Sequence, residues 1–201
     1  MTADEADLLA ALDTLVPAGV RAGVRALRTS DVGALATTEA ALVASAVESR
    51  RREFATGRAL LRELLGTSAP IGRRDHGGPE VPAGWSVSLA HDRRFAIAVA
   101  TSGDRGLGVD LEPITADLAG LGDTVTRPDD VAAGTLEVFV VKEAVYKAWS
   151  RPGRPIIEFT DVRVAVEPGG VWGATVLIDG SRFSGRTMTA GGRRLAVAVS
   201  A

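Results

Sequence analysis

Gly108-Val109-Asp110-Leu111-Glu112 and Phe139-Val140-Val141-Lys142-Glu143-Ala144-Val145-Tyr146-Lys147 decide how this chain is read. The first run is extended in pattern, and alternation along a strand puts Asp110 and Glu112 on one face. The second is helical, with Glu143 and Lys147 four residues apart and so on a shared face. Val138, Val141, Val145, Ala148 and Trp149 form that helix's apolar stripe. Glu143 and Lys147 fall nearly opposite it, free to face a cleft. Two carboxylates from a strand and one from a helix suit a hard divalent cation such as magnesium, and lysines beside them suit a phosphate-bearing substrate. Manganese accepts similar oxygen ligands and is the alternative ion. Taken singly, the strand pair is an ordinary solvated strand end and the helix pair a surface ion pair. Together they point to phosphoryl chemistry.

Working outward, 201 residues with 46% hydrophobic content are enough to bury a core, as one large domain or two small halves. A net charge of −2 argues against a protein that coats nucleic acid, which needs a basic excess. Any basic site must be local. The chain has no cysteine, which excludes disulfides and thiolate chemistry, and its only histidines, His76 and His91, argue against zinc. The acidic start Met1-Thr2-Ala3-Asp4-Glu5 lacks the basic head of a secretory signal, and no apolar run reaches the roughly 18 residues of a membrane span. The expectation is a cytoplasmic protein with no membrane partner.

Periodicity predicts helices over 4–15, 38–47, 51–65 and 137–149, the third ending at Gly66. Phe54, Leu61 and Leu65 line one face of the third helix, and Arg58 falls close to the same line, where a guanidinium needs an anion or a carboxylate. Residues 71–84 read as an irregular loop carrying Arg73, Arg74 and His76. Strands are expected at 85–89, 94–101, 107–112, 160–166, 171–178 and 193–200, with 113–134 mostly loop and a Gly-rich polar stretch before the last strand. Helix then strands occurs twice. The expected architecture is α+β, with two pseudo-symmetric halves, 1–104 and 105–201, each a small antiparallel sheet packed with a long helix.

These residues resemble the Sfp-type 4′-phosphopantetheinyl transferases, especially the branch containing the enterobactin-synthetase-activating enzyme. That family carries a G-x-D-x-E strand followed by a K-E-x-x-x-K helix, matched by Gly108 to Glu112 and by Lys142 to Lys147. Arg51-Arg52-Glu53-Phe54 with Gly57-Arg58 resembles its R-x-E-F-x-x-G-R helix, and Gly78-Pro79 with Pro82-Ala83-Gly84 its G-x-P-x-x-P-x-G loop. Ser88 to His91 resembles its S-x-S-H turn and Phe159-Thr160-Asp161-Val162 its later strand, so the resemblance spans nearly the whole chain.

The resemblance implies the 4′-phosphopantetheinyl transferase fold and magnesium-dependent transfer of the phosphopantetheine arm of coenzyme A to a serine of an acyl or peptidyl carrier protein. Adenosine 3′,5′-bisphosphate is released, and the enzyme is a monomer. It implies a metal at Asp110, Glu112 and Glu143, catalytic roles for Glu143, Lys147 and Asp110, and coenzyme A contacts from Arg51, Arg58, Arg74, His91, Lys142 and Lys147, with His91 on the 3′-phosphate. Which carboxylate takes the serine proton stays open. Two departures stand out. The second serine of the turn is Ala90, followed after His91 by Asp92, which predicts weaker coenzyme A binding; and the connection from Glu112 to Glu143 is short. A non-catalytic module binding coenzyme A or a carrier protein on the same fold, or a divergent enzyme acting on a carrier-bound or diphosphate-containing substrate, are the alternatives.

Overall fold

Phe95-Ala96-Ile97-Ala98-Val99-Ala100 alternates large and small apolar side chains, and this alternation sets what lies on each face of the first sheet. The computed structural model describes residues 1–74 and 77–201; His76, expected as a loop charge, lies outside the described residues. The run belongs to β5 (Phe95–Ser102), which pairs antiparallel with β1 (Arg21–Ala26) and β4 (Trp85–His91). Phe95, Ile97 and Val99 pack with Leu8, Leu12 and Leu15 of α1 (Ala3–Leu15). Ala96, Ala98 and Ala100 face the other way, toward Leu60, Leu61 and Leu65 of the long α3 (Glu48–Leu65). Short side chains there let a helix lie close to the sheet. Gly66, at φ 65°, ends α3 in the left-handed conformation expected of a helix-terminating glycine.

The second sheet runs β6-β10-β9-β8-β7, all antiparallel, from β6 (Leu107–Pro113), β7 (Val162–Val166), β8 (Val171–Val176), β9 (Arg182–Ala190) and β10 (Arg193–Ser200). Leu107, Val109, Leu111, Leu195, Val197 and Val199 continue the core beneath α1. Ala196 and Ala198 point oppositely and pack with Val141, Val145 and Ala148 of α5 (Thr135–Trp149). Thus α1 spans both sheets on one side, while α3 and α5 each cover their own sheet on the other and border a cleft. Each buried leucine in the shared core is worth about 1.5–3 kcal/mol.

The edges of the two sheets meet at β4 and β6. There the Val109 N–H donates to Ser88 Oγ at 3.0 Å, a side-chain bridge in place of a backbone ladder. Ser86 Oγ donates to the Gly103 carbonyl and accepts from the Arg105 N–H, both at 2.9 Å, tying the connection between the sheets to β4.

Several expectations need correction. The sheets are unequal, with three and five strands. Only Thr37–Ala41 (α2) of the second expected helix is α-helical. The loop at 71–84 carries a small hairpin of β2 (Gly72–Arg73) and β3 (Pro79–Glu80), and residues 113–134 include one helical turn, α4 (Gly122–Val125). Strands β1 and β9 were not expected. The polar stretch of β9 hides its register because Gly185 must be a glycine: a Cβ there would strike the Val197 carbonyl and the buried Trp172 ring, which takes the side-chain space. Among the described residues no helix is long and apolar enough to cross a membrane.

Gly108 has the same logic with larger consequence. A Cβ at this position would collide with the backbone carbonyl of Ala144, so α5 rests directly on β6. Gly108→Ala is therefore expected to destabilise the fold by about 3 kcal/mol, at the upper end for overpacking, as read by urea denaturation.

Candidate active site

Because α5 lies against Gly108, the next residues on that face of β6 sit under the helix. Lys147 Nζ donates to Asp110 Oδ1 at 2.6 Å and to the Val109 carbonyl at 3.2 Å. Asp110 is buried, and its second oxygen, Oδ2, has no hydrogen-bond partner. Burial pushes the Asp110 carboxyl up, against the pull of Lys147. Glu112, half-buried, is raised to about 7, by burial first and then by Asp110, with Asp92 and Glu143 adding and Lys147 opposing. Glu143 is raised by burial and by Asp110, again opposed by Lys147.

Three carboxylates therefore repel one another around one ammonium. That electrostatic excess, with the orphaned Asp110 Oδ2, is the environment a divalent oxygen-loving cation relieves. Among the described residues no three His, Cys, Asp or Glu side chains are already gathered as a metal cage. Lys147 holds one Asp110 oxygen instead.

The cleft between α3 and α5 has a volume of about 800 Å³. Lys147 and Glu143 line it from the second half, joined by Tyr146, Arg105 and Arg151; His91, Arg50, Arg58, Arg73 and Arg74 line it from the first. His91, at the end of β4, places Nε2 2.9 Å from an Arg50 guanidinium nitrogen and 3.7 Å from Glu53 Oε2. Burial is the main cause that lowers its pKa, with Glu53 opposing and Arg50 and Lys147 adding to the depression. The buried Arg58 donates from Nε to the Ile71 carbonyl and from a terminal nitrogen to the Gly72 carbonyl, each at 2.9 Å, and stacks 4.2 Å over the Phe54 ring. Burial lowers it to about 10. The partner expected for Arg58 is thus supplied in part by backbone carbonyls, so this side chain also shapes the loop that carries Arg73 and Arg74.

Two expected ligands are placed elsewhere. Arg51 points from the rim of α3 to the Ala46 carbonyl, 2.8 Å away, and does not line the cleft. Lys142 is buried and donates to Asp130 Oδ2 at 2.7 Å and to the carbonyls of Val125 and Phe159 at 2.9 and 3.0 Å. Its three protons are all engaged, which leaves none for a phosphate.

The two departures at the turn also change meaning. Ala90 is buried in the core that packs on α1, so the missing hydroxyl faces away from the cleft. Asp92 is neutralised by Arg193, Nε to Oδ2 at 2.6 Å. Sequence reasoning missed Arg50, Arg105, Arg151 and Tyr146. Arg50 was findable, because 50, 54 and 58 fall on one helical face.

Comparison with known proteins adds an independent line. A family described as the 4′-phosphopantetheinyl transferase N-terminal domain matches residues 38–101. The chain is 33% identical over 172 residues to the 4′-phosphopantetheinyl transferase PptT of Mycobacterium tuberculosis, covering 75% of this chain and 76% of that one. It is 34% identical over 179 residues to the 4′-phosphopantetheinyl transferase Svp of Streptomyces mobaraensis (78% and 72%) and 34% identical over 153 residues to the 4′-phosphopantetheinyl transferase Npt of Nocardia iowensis (69% and 68%).

Proposed function

Because the chain belongs to the 4′-phosphopantetheinyl transferase family, we propose that it moves the phosphopantetheine arm of coenzyme A onto a serine of an acyl or peptidyl carrier protein. The observation that carries the mechanism is the contact of Lys147 with the buried Asp110, where Lys147 and Glu143 line a cleft whose walls are basic from both halves. The arginines and His91 favour a ligand bearing several phosphates. Residues 1–104 supply the walls toward the 3′-phosphate, and 105–201 supply the reacting groups.

In the transfer, the serine oxygen forms a bond to the phosphorus that carries the pantetheine, and the bond from that phosphorus to the bridging oxygen breaks. Glu143 takes the serine proton, and adenosine 3′,5′-bisphosphate leaves. Burial, and then the neighbouring Asp110, raise the Glu143 carboxyl above its ordinary range, which makes its ionised form a stronger proton acceptor. Lys147, held at Asp110, sets its ammonium against the charge that grows on the phosphate oxygens. Asp110, Glu112 and Glu143 would hold magnesium, or manganese, which supplies positive charge against the diphosphate. The order of motifs and the presence of both sheets in one chain support the Sfp-type, single-chain branch, including its enterobactin-related members, acting as a monomer.

Incubating the protein with coenzyme A, magnesium and apo carrier proteins tests the reading. A mass gain of one phosphopantetheine arm, abolished by EDTA, supports it; coenzyme A binding with no gain on any carrier overturns it. Of the two features that favoured a non-catalytic module, Ala90 and the short connection from Glu112 to Glu143, the first loses its force because that side chain is buried in the core away from the cleft.

His91 gives a pH dependence with a definite sign. In the free protein its pKa lies below the ordinary 6.5, so it is neutral at pH 7. A phosphate beside it raises that pKa, so binding takes up a proton and coenzyme A affinity is expected to strengthen as pH falls from 7 toward 6. The folded state's preference for neutral His91 acts oppositely on stability, which is lost as pH falls below 6.5. Calorimetry in buffers of different ionisation enthalpy should show proton uptake that His91→Gln removes.

A further inference from the structure

Asp92 follows His91 directly and Arg193 opens β10, 101 positions later, yet the two side chains are each only 7% exposed and meet at 2.6 Å. One Asp92 oxygen closes the β4–β5 turn by accepting the Arg94 and Phe95 N–H groups at 2.6 and 2.7 Å. The other accepts from Arg193 Nε. The same guanidinium donates to the Gly191 carbonyl at 2.6 Å and lies 4.6 Å over the Phe95 ring. Arg193 is in turn fixed in the second sheet, opposite Pro113 of β6 and Ala190 of β9. The pair therefore joins a turn of one sheet to a strand of the other, at a seam where the edge strands share no backbone ladder.

Neither side chain lines the cleft, but His91, adjacent to Asp92, does. His91 enters it from the first sheet, while Lys147 enters from a helix packed on the second. We propose that Asp92 and Arg193 form a latch between the two sheets that fixes the span from His91 to Lys147, making both positioning residues for coenzyme A. The pair is neutral as a unit, so it holds the halves together without subtracting positive charge from the phosphate-binding walls. This rests on the coenzyme A reading above.

The test measures KM for coenzyme A, kcat, and amide exchange at Arg94 and Phe95 in the ligand-free protein. Arg193→Met keeps the aliphatic stem and removes the charge. It is expected to raise KM by about tenfold with kcat changed by no more than about threefold, because the span is loosened while the reacting groups stay in place. Arg193→Lys should recover most of the loss. Adding Asp92→Asn to Arg193→Met should cost nothing further, since the two act as a pair. If Arg193→Met does not fold, Asp92→Asn carries the test: it keeps the turn closure, drops the charge, and should raise KM by about threefold. An unchanged KM, a fall in kcat alone, or additive effects overturns the latch. The exchange measurement separates this from the functional reading. Faster exchange in Arg193→Met with no coenzyme A binding by the wild type keeps the latch and overturns the function; unchanged exchange overturns the latch itself.

Discussion

Replacing Glu143 by Gln is expected to lower kcat by about 10²–10⁴-fold, the range for loss of a positioned general base. The substitution keeps the size of the side chain and removes its charge. Glu143 stands under the repulsion of Asp110 and in partial burial, both of which penalise its ionised form. Gln therefore relieves a strain in the ground state, and the melting temperature should hold or rise slightly. Initial rates of carrier modification together with thermal unfolding check this. An active variant would remove Glu143 from the chemistry, and a variant that loses activity only because it unfolds would make the residue structural.

Lys142→Met is expected to destabilise the protein by about 3–5 kcal/mol, the cost of breaking a buried ion pair by removing one partner. Asp130, also buried at its side chain, would be left charged and unpaired, and the carbonyls of Val125 and Phe159 would lose their donor. For a chain of this length that corresponds to a fall in Tm of about 10 °C. KM for coenzyme A should stay within about threefold of wild type, because no proton of Lys142 is free to reach a phosphate. A phosphate ligand would give the opposite pair of results, with stability kept and KM raised tenfold or more on the order of a lost charge-assisted hydrogen bond. Thermal unfolding and steady-state kinetics on one preparation decide between them.

The residues that were legible in the sequence are those whose roles depend on local periodicity. Alternation put Asp110 and Glu112 on one face of β6, and the helical repeat put Glu143 and Lys147 on one face of α5; the structure adds that Gly108 brings those faces together. What escaped was decided by partners distant in the chain. Lys142 reads as a coenzyme A contact until Asp130 and the Phe159 carbonyl are seen to enclose it. Asp92 looks like an unwelcome charge until Arg193 reaches it. Strand β9 was obscured because burial of Trp172 demanded a glycine in the strand that covers it, which weakens the very pattern used to find strands. Arg58 was read correctly as a cation in need of partners, but hydropathy could not say that two of them would be peptide carbonyls.

The Ser88 bridge to Val109 has a consequence for solubility. A strand at the margin of a sheet offers a row of unsatisfied peptide groups to any passing chain, and folded proteins must blunt such margins. Here β4 and β6 shield each other, and the bridging hydroxyl answers one amide without letting the two sheets fuse into a continuous ladder. Expressed apart, each portion would present a bare strand with its apolar neighbours, inviting self-association. Keeping both portions on one polypeptide is therefore a protection against aggregation as well as a means of assembling the cleft.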